Sequence, residues 1–157
     1  MRKLTFERVD PSDHYLIEII AEWYNLHWKI KPSITIERLK NFEPIGIPCH
    51  YIVKKEAVPV ATGGLYTDDG VGLLKVFPEY KKIPYWISLV YTLPEHRGQG
   101  IAAYLCKNIE LYAKQHGLSK LNLYTNTAEK IYLRECWKPL ERIWYKEADT
   151  VIMEKEL

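Results

Sequence analysis

The sequence predicts an α/β protein built as a mixed α+β sheet of roughly six or seven strands with about four helices on its faces. Three observations lead there. Runs rich in β-branched and aromatic residues alternate with segments whose apolar residues recur at helical steps, in the order β-α-α-β-β-β-α-β-α-β-β. One run, "YWISLVYTL" at 85–93, is apolar on both faces, as a strand covered on both sides must be. That strand feeds directly into a helical pattern through the arginine and glycines of "PEHRGQGIA". With 157 residues, 47% of them hydrophobic, the chain can bury one sizeable core, and a single domain over 1–157 is expected.

The first strand is "KLTFERV". Asp10-Pro11 comes next as an N-cap and a proline at the first helical position. Leu16, Ile19, Ile20, Trp23 and Ile30 then mark the core stripe of a helix from residue 11 to residue 29. Lys31-Pro32 ends that helix, and "TIERLKNF" forms a second one capped by Thr35. "IGIPCH" is a connection. "HYIVKK" and "VPVATGGLY" form a hairpin across Glu56-Ala57, with Pro59 marking an edge or irregularity. The glycines, prolines and acids of 67–84 read as a surface loop. After the central strand a helix runs to His116, with Gly117 as the left-handed residue beyond it. "KLNLYT" is a strand and "AEKIYLREC" a helix, and "LERIWYK" with "TVIMEKE" closes the chain as a hairpin.

Composition excludes several classes of function. The net charge of +2 comes from 22 basic and 20 acidic residues spread along the chain, so neither nucleic acid nor an acidic membrane surface is the expected partner. No apolar stretch approaches the roughly 20 residues of a membrane span. Cys49, Cys106 and Cys136 are odd in number and lack metal-ligand spacing, and "MRKLTFERVD" has no apolar run behind its basic start. A reduced cytoplasm and no metal are the expectations.

The turn from strand to helix carries the chemistry. A helix N-terminus presents unpaired backbone N–H groups and the positive end of the macrodipole, and glycine lets an anion approach the main chain without a Cβ in the way. Arg97 can add a charge-assisted donor. A tight turn with no ligand is the alternative. Among phosphate-binding motifs, a Walker A loop is excluded because Gly100 is followed by Ile101-Ala102 rather than Lys-Ser/Thr. Gly98, Gly100 and Ala103 formally match the dinucleotide fingerprint, but "KLNLYTNT" lacks the acid that would bind a ribose.

Arg97-Gly98-Gln99-Gly100-Ile101-Ala102 resembles the R/Q-x-x-G-x-G/A signature of the GNAT family of N-acetyltransferases. The strand and proline of "ISLVYTLPEH" precede it as in that family, and Ala128, Tyr132, Cys136 and Trp137 match the spacing of the family's later A-x-x-x-Y-x-x-x-G-F/W pattern. Cys136 stands where glycine is usual, and Thr125 where asparagine is frequent, with Asn126 beside it. The resemblance implies a GNAT-like acyltransferase fold, acetyl-CoA as co-substrate and a primary amine of a small molecule or peptide as acceptor, and it leaves a homodimer open.

The same resemblance assigns the pyrophosphate of coenzyme A to Arg97, Gly98, Gln99, Gly100, Ala102 and Ala103, with Asn126 as a further contact. It assigns the pantetheine arm and acetyl carbonyl to the main chain of Val90, Tyr91 and Thr92. Tyr132, protonated at neutral pH, is the candidate acid for the leaving thiolate. Trp23, Trp28 and Trp86 are the candidate acceptor wall, since tryptophan faces suit a cationic or aromatic amine. No base is evident: Ser88 sits on the central strand where a carboxylate is expected, and Glu22, His27, Asp68 and Glu79 read as surface groups. Cys106 and Cys136 have no evident base for covalent catalysis, so direct attack in a ternary complex is expected. A domain that binds CoA or acyl-CoA without turnover is the alternative.

Overall fold

The computed structural model describes residues 3–67 and 70–157. Seven strands form a mixed sheet in the order β1-β2-β3-β4-β5-β7-β6: β1 is Leu4–Arg8, β2 Cys49–Lys55, β3 Val58–Tyr66, β4 Trp86–Thr92, β5 Lys120–Thr125, β6 Lys138–Tyr145 and β7 Ala148–Glu156. Five helices accompany it among the described residues: α1 (His14–Trp28), α2 (Pro32–Lys40), α3 (Leu73–Val76), α4 (Ile101–Gln115) and α5 (Glu129–Arg134). The apolar run at 85–93 therefore supplies the fourth of seven strands, the central place its two apolar faces demand. No described helix is long and apolar enough to cross a membrane.

The chain divides into two compact units. One comprises Met1–Gly64 with Val90–Leu105, the other Leu65–Leu89 with Cys106–Leu157. In the first unit β1 runs antiparallel to β2, with Phe6 opposite Val53. The Leu93 amide donates to Val60 O at 2.9 Å and so continues the sheet past the end of β4. Helix α1 buries Leu16, Ile17, Ile20, Ala21 and Tyr24. Each large apolar side chain buried this way contributes roughly 1.5–3 kcal/mol. Its stripe is rotated from the expected one, because Ile19 and Trp23 are only half-buried while Ile17 and Tyr24 enter the core. Gly63 is closely packed: a Cβ there would lie 3.0 Å from Leu105 Cδ2 and 3.1 Å from Val90 Cγ2, so both side chains would have to give.

Three helix boundaries differ from the sequence reading. Asp13, not Asp10, caps α1, its Oδ1 accepting from the Leu16 amide at 3.1 Å, while Asp10 turns back on the Ser12 amide and hydroxyl. Lys31-Pro32 opens α2 instead of closing α1, whose end is the left-handed Lys29. Thr35 is therefore buried inside α2 and caps nothing.

In the second unit β4 pairs with β5 in parallel, with Trp86 opposite Asn122, and the Asn122 amide donates to Tyr85 O at 3.1 Å. β5 and β6 each pair antiparallel with β7. The segment expected as a loop at 67–84 carries α3 and a 3₁₀ turn at Pro78–Lys82. Leu73, Leu74 and Tyr80 supply the reason: all three are buried, and they anchor a segment whose glycines and prolines read as exposed.

Helix α5 ends in a Schellman turn. The Trp137 amide donates to Tyr132 O at 3.0 Å, the Cys136 amide to Leu133 O at 3.2 Å, and Cys136 takes φ +69°. The cysteine thus keeps the turn that glycine would make, at the cost of a left-handed side-chain-bearing residue. Cys136→Gly is expected to stabilise the protein by about 1 kcal/mol, the strain removed less the chain entropy that glycine adds. A denaturant midpoint equal to or below that of the parent would contradict this.

Candidate active site

β4 bends at Leu89. This residue has φ +60° in the middle of a strand, a conformation that non-glycine residues adopt only under constraint. Val90, Tyr91 and Thr92 follow it and complete the strand. Tyr91 is buried, and rings from the last turns of α1 collect around it: Trp23 at 5.8 Å, His27 at 5.1 Å and Trp28 at 6.1 Å between centroids. Trp23 and His27 lie one turn apart on α1, and Trp28 follows His27 directly. The wall continues from Trp28 to Tyr24 at 5.3 Å, and the Tyr24 hydroxyl pairs with His50 Nε2 at 2.9 Å. Burial, reinforced by the Arg38 charge, pushes the His50 pKa down to about 3, so this imidazole is a neutral structural partner.

The turn after β4 is open. Gly98 and Gly100 have φ +75° and +78°, and a Cβ built on either would meet no atom within 4 Å. The space directly above the main chain is therefore free at two left-handed positions immediately before α4, whose first N–H groups have no partners within the helix. This is a cradle that fits a phosphate. Gln99 accepts from Lys55 Nζ at 2.6 Å, which brings a cation from the end of β2 to the turn. No sequence signal marks Lys55, which is 44 residues away. Arg97 lies back along β4: its Nε donates to Thr92 O at 2.8 Å, and its guanidinium sits 5.4 Å from the Tyr91 ring centroid. Ala102 and Ala103 are half-buried in the first turn of α4.

Tyr132 on α5 is buried, with its ring 6.0 Å from that of Trp137. Its phenol and the Cys106 thiol interact electrostatically. Desolvation, then the Cys106 contact, raises its pKa well above 10, so the phenol keeps its proton. Desolvation likewise pushes the Cys106 thiol up to about 12, which removes it as a nucleophile at neutral pH. Asn126 is exposed. Its neighbour Thr125 makes the local structure, with Oγ1 accepting from the Ala128 amide at 3.0 Å and the Thr127 amide at 3.3 Å.

Trp86, expected in the acceptor wall, is a core residue. It is fully buried, donates from its indole N–H to Ile83 O at 3.1 Å and packs against Tyr124. Ser88 is also buried, and its hydroxyl is engaged with Gly70 O at 3.0 Å. Glu22 and Glu79 are exposed, and Asp68 lies outside the described residues.

The sequence model of the acetyltransferase (GNAT) family matches residues 15–137, a span that includes α1, the open turn and α5. The chain belongs to this family. No curated protein matches it. Solved structures of GNAT acetyltransferases share its fold at low identity. A polyamine N-acetyltransferase from Drosophila melanogaster superposes with a TM-score of 0.76 at 12% identity, over 99% of this chain and 100% of the other. A GNAT-family acetyltransferase from Streptococcus pneumoniae gives 0.72 at 12%, over 99% of each chain. Ard1 from Thermoplasma volcanium gives 0.70 at 11%, over 98% and 97%. The protein is thus a GNAT-family member by sequence, with the fold of solved acetyltransferases.

Proposed function

We propose that this GNAT protein moves an acetyl group from acetyl-CoA to a primary amine of a small molecule or peptide, by direct attack in a ternary complex. The observation that carries the proposal is the pair of left-handed glycines with open space above them at the start of α4. Gly98, Gln99, Gly100 and the first amides of α4 would hold the pyrophosphate, with Arg97, Ala102 and Ala103 beside them, and Asn126 is the further contact that the family resemblance implies. The main chain of Val90, Tyr91 and Thr92 would receive the pantetheine arm and the acetyl carbonyl, beyond the left-handed Leu89. Trp23 and Trp28 would face the acceptor, an assignment favoured by the amine substrate named for the Drosophila enzyme. Tyr132 would give its proton to the departing thiolate.

The test has two readouts. Acetyl-CoA binds only the folded state, so at a hundredfold excess over Kd it should stabilise the protein by about 2.7 kcal/mol, whereas NAD should not. In parallel, 2-phenylethylamine, spermidine, kanamycin and an alanine-terminated tripeptide are offered with acetyl-CoA, and free thiol is measured over time. Release of CoA thiol in step with acetylated amine supports the proposal. Stabilisation by acetyl-CoA without turnover of any amine would reassign the chain as a CoA-binding module.

A further inference from the structure

We infer that His27 is the proton acceptor for the attacking amine, an assignment that rests on the acetyl-transfer reading above. An ammonium has no lone pair, so the acceptor must lose a proton before its nitrogen can attack. In the cluster around Tyr91, the rings of Trp23, Trp28 and Tyr91 offer no nitrogen lone pair, and the Arg97 guanidinium is a permanent cation. His27 does offer one, on an exposed imidazole in the last turn of α1 held edge-on to Trp28 at 4.8 Å and against Tyr91 at 5.1 Å. Tyr91 is also the residue whose backbone is assigned to the acetyl end of the donor. The imidazole is thereby placed at the strand position where the acceptor nitrogen has to arrive.

The surrounding charges favour this role. Desolvation first, then the Arg97 charge, lowers the His27 pKa below 6.5, so the ring is neutral at pH 7. From β4 the titratable group facing it is the Tyr91 phenol, and from the turn it is the Arg97 guanidinium. From its own helix the neighbours are the uncharged Trp23 and Trp28. No carboxylate contributes to the shift among the described residues, and the α2 charge that acts on a histidine, Arg38, acts on His50. Arg97 also disfavours an ammonium beside Tyr91, which eases loss of the proton from nitrogen. The ammonium proton passes to the imidazole nitrogen, the freed lone pair forms the N–C bond, and the C–S bond breaks with its electrons on sulfur. The thiolate takes a proton from the proposed acid Tyr132, which regains one as the nitrogen sheds its second N–H proton, and the imidazolium returns its proton to water; ammonium and acetyl-CoA thus become amide, CoA thiol and one released proton.

The experiment measures kcat/KM for whichever amine of the panel is acetylated fastest, from pH 5.5 to pH 9.5, in the parent and in His27→Gln. The parent should lose activity as pH falls through a single ionisation below the ordinary histidine value. The variant should lose that limb, fall about 10²-fold at pH 7, and recover part of the deficit at high pH, where the amine sheds its own proton. The KM for acetyl-CoA and the melting temperature should not move. His27→Ala should be rescued by added imidazole, a response that a packing role cannot produce. An unchanged limb and rate in His27→Gln, or failure of imidazole to rescue His27→Ala, overturns the inference while leaving acetyl transfer intact. Absence of turnover in the parent with every amine overturns both.

Discussion

Tyr132→Phe is expected to lower turnover by roughly 10²–10⁴-fold, the range for a lost general acid, while acetyl-CoA still raises the melting temperature. The substitution removes one hydroxyl and almost no volume, so the ring can remain against Trp137. A single-turnover measurement isolates the chemical step from product release. Equal single-turnover rates in the two proteins would leave Tyr132 as a packing residue against Trp137.

Gly100→Val should abolish stabilisation by acetyl-CoA. A valine at φ +78° carries backbone strain of order 1–3 kcal/mol, and its side chain would stand in the space over the turn. Strain alone would not block a ligand, and Gly117 provides the control. It has φ +82° and is likewise clear of other atoms, but it lies at the far end of α4. Gly117→Val should therefore lower the melting temperature comparably yet retain the acetyl-CoA shift of about 2.7 kcal/mol at a hundredfold excess over Kd. Loss of the shift in both variants, or in neither, would separate the open turn from ligand binding.

The features visible in the sequence were those set by local backbone chemistry. Gly117 could be read as a left-handed position and the glycines of the turn as places where no Cβ covers the main chain, and the apolar faces of 85–93 named the central strand. The spacing of Ala128, Tyr132 and Trp137 carried the family resemblance. What escaped detection depends on contacts between distant segments. Trp86 and Trp28 are equally hydrophobic, and only the fold buries one against Tyr124 and leaves the other partly exposed beside Tyr91. His27 read as a surface group because it is exposed, and its neighbours Tyr91 and Arg97 belong to a strand and a turn far along the chain. Lys55 reaches Gln99 in the same way. The α3 segment was missed for a different reason: its glycines and prolines outweighed Leu73 and Leu74, whose burial holds it.

Leu89 sets the phase of β4. Side chains on a strand alternate between faces, so one left-handed residue decides which face every later residue takes. Shortening the strand by that residue would exchange the faces downstream, carrying Tyr91 away from Trp23, His27 and Trp28 and depriving Arg97 of the ring it lies over. The aromatic wall is therefore encoded partly as a count of residues between Trp86 and the turn, and not only as residue identities. A β4 segment grafted from a relative would transplant the wall only if it preserved that count, however similar its side chains.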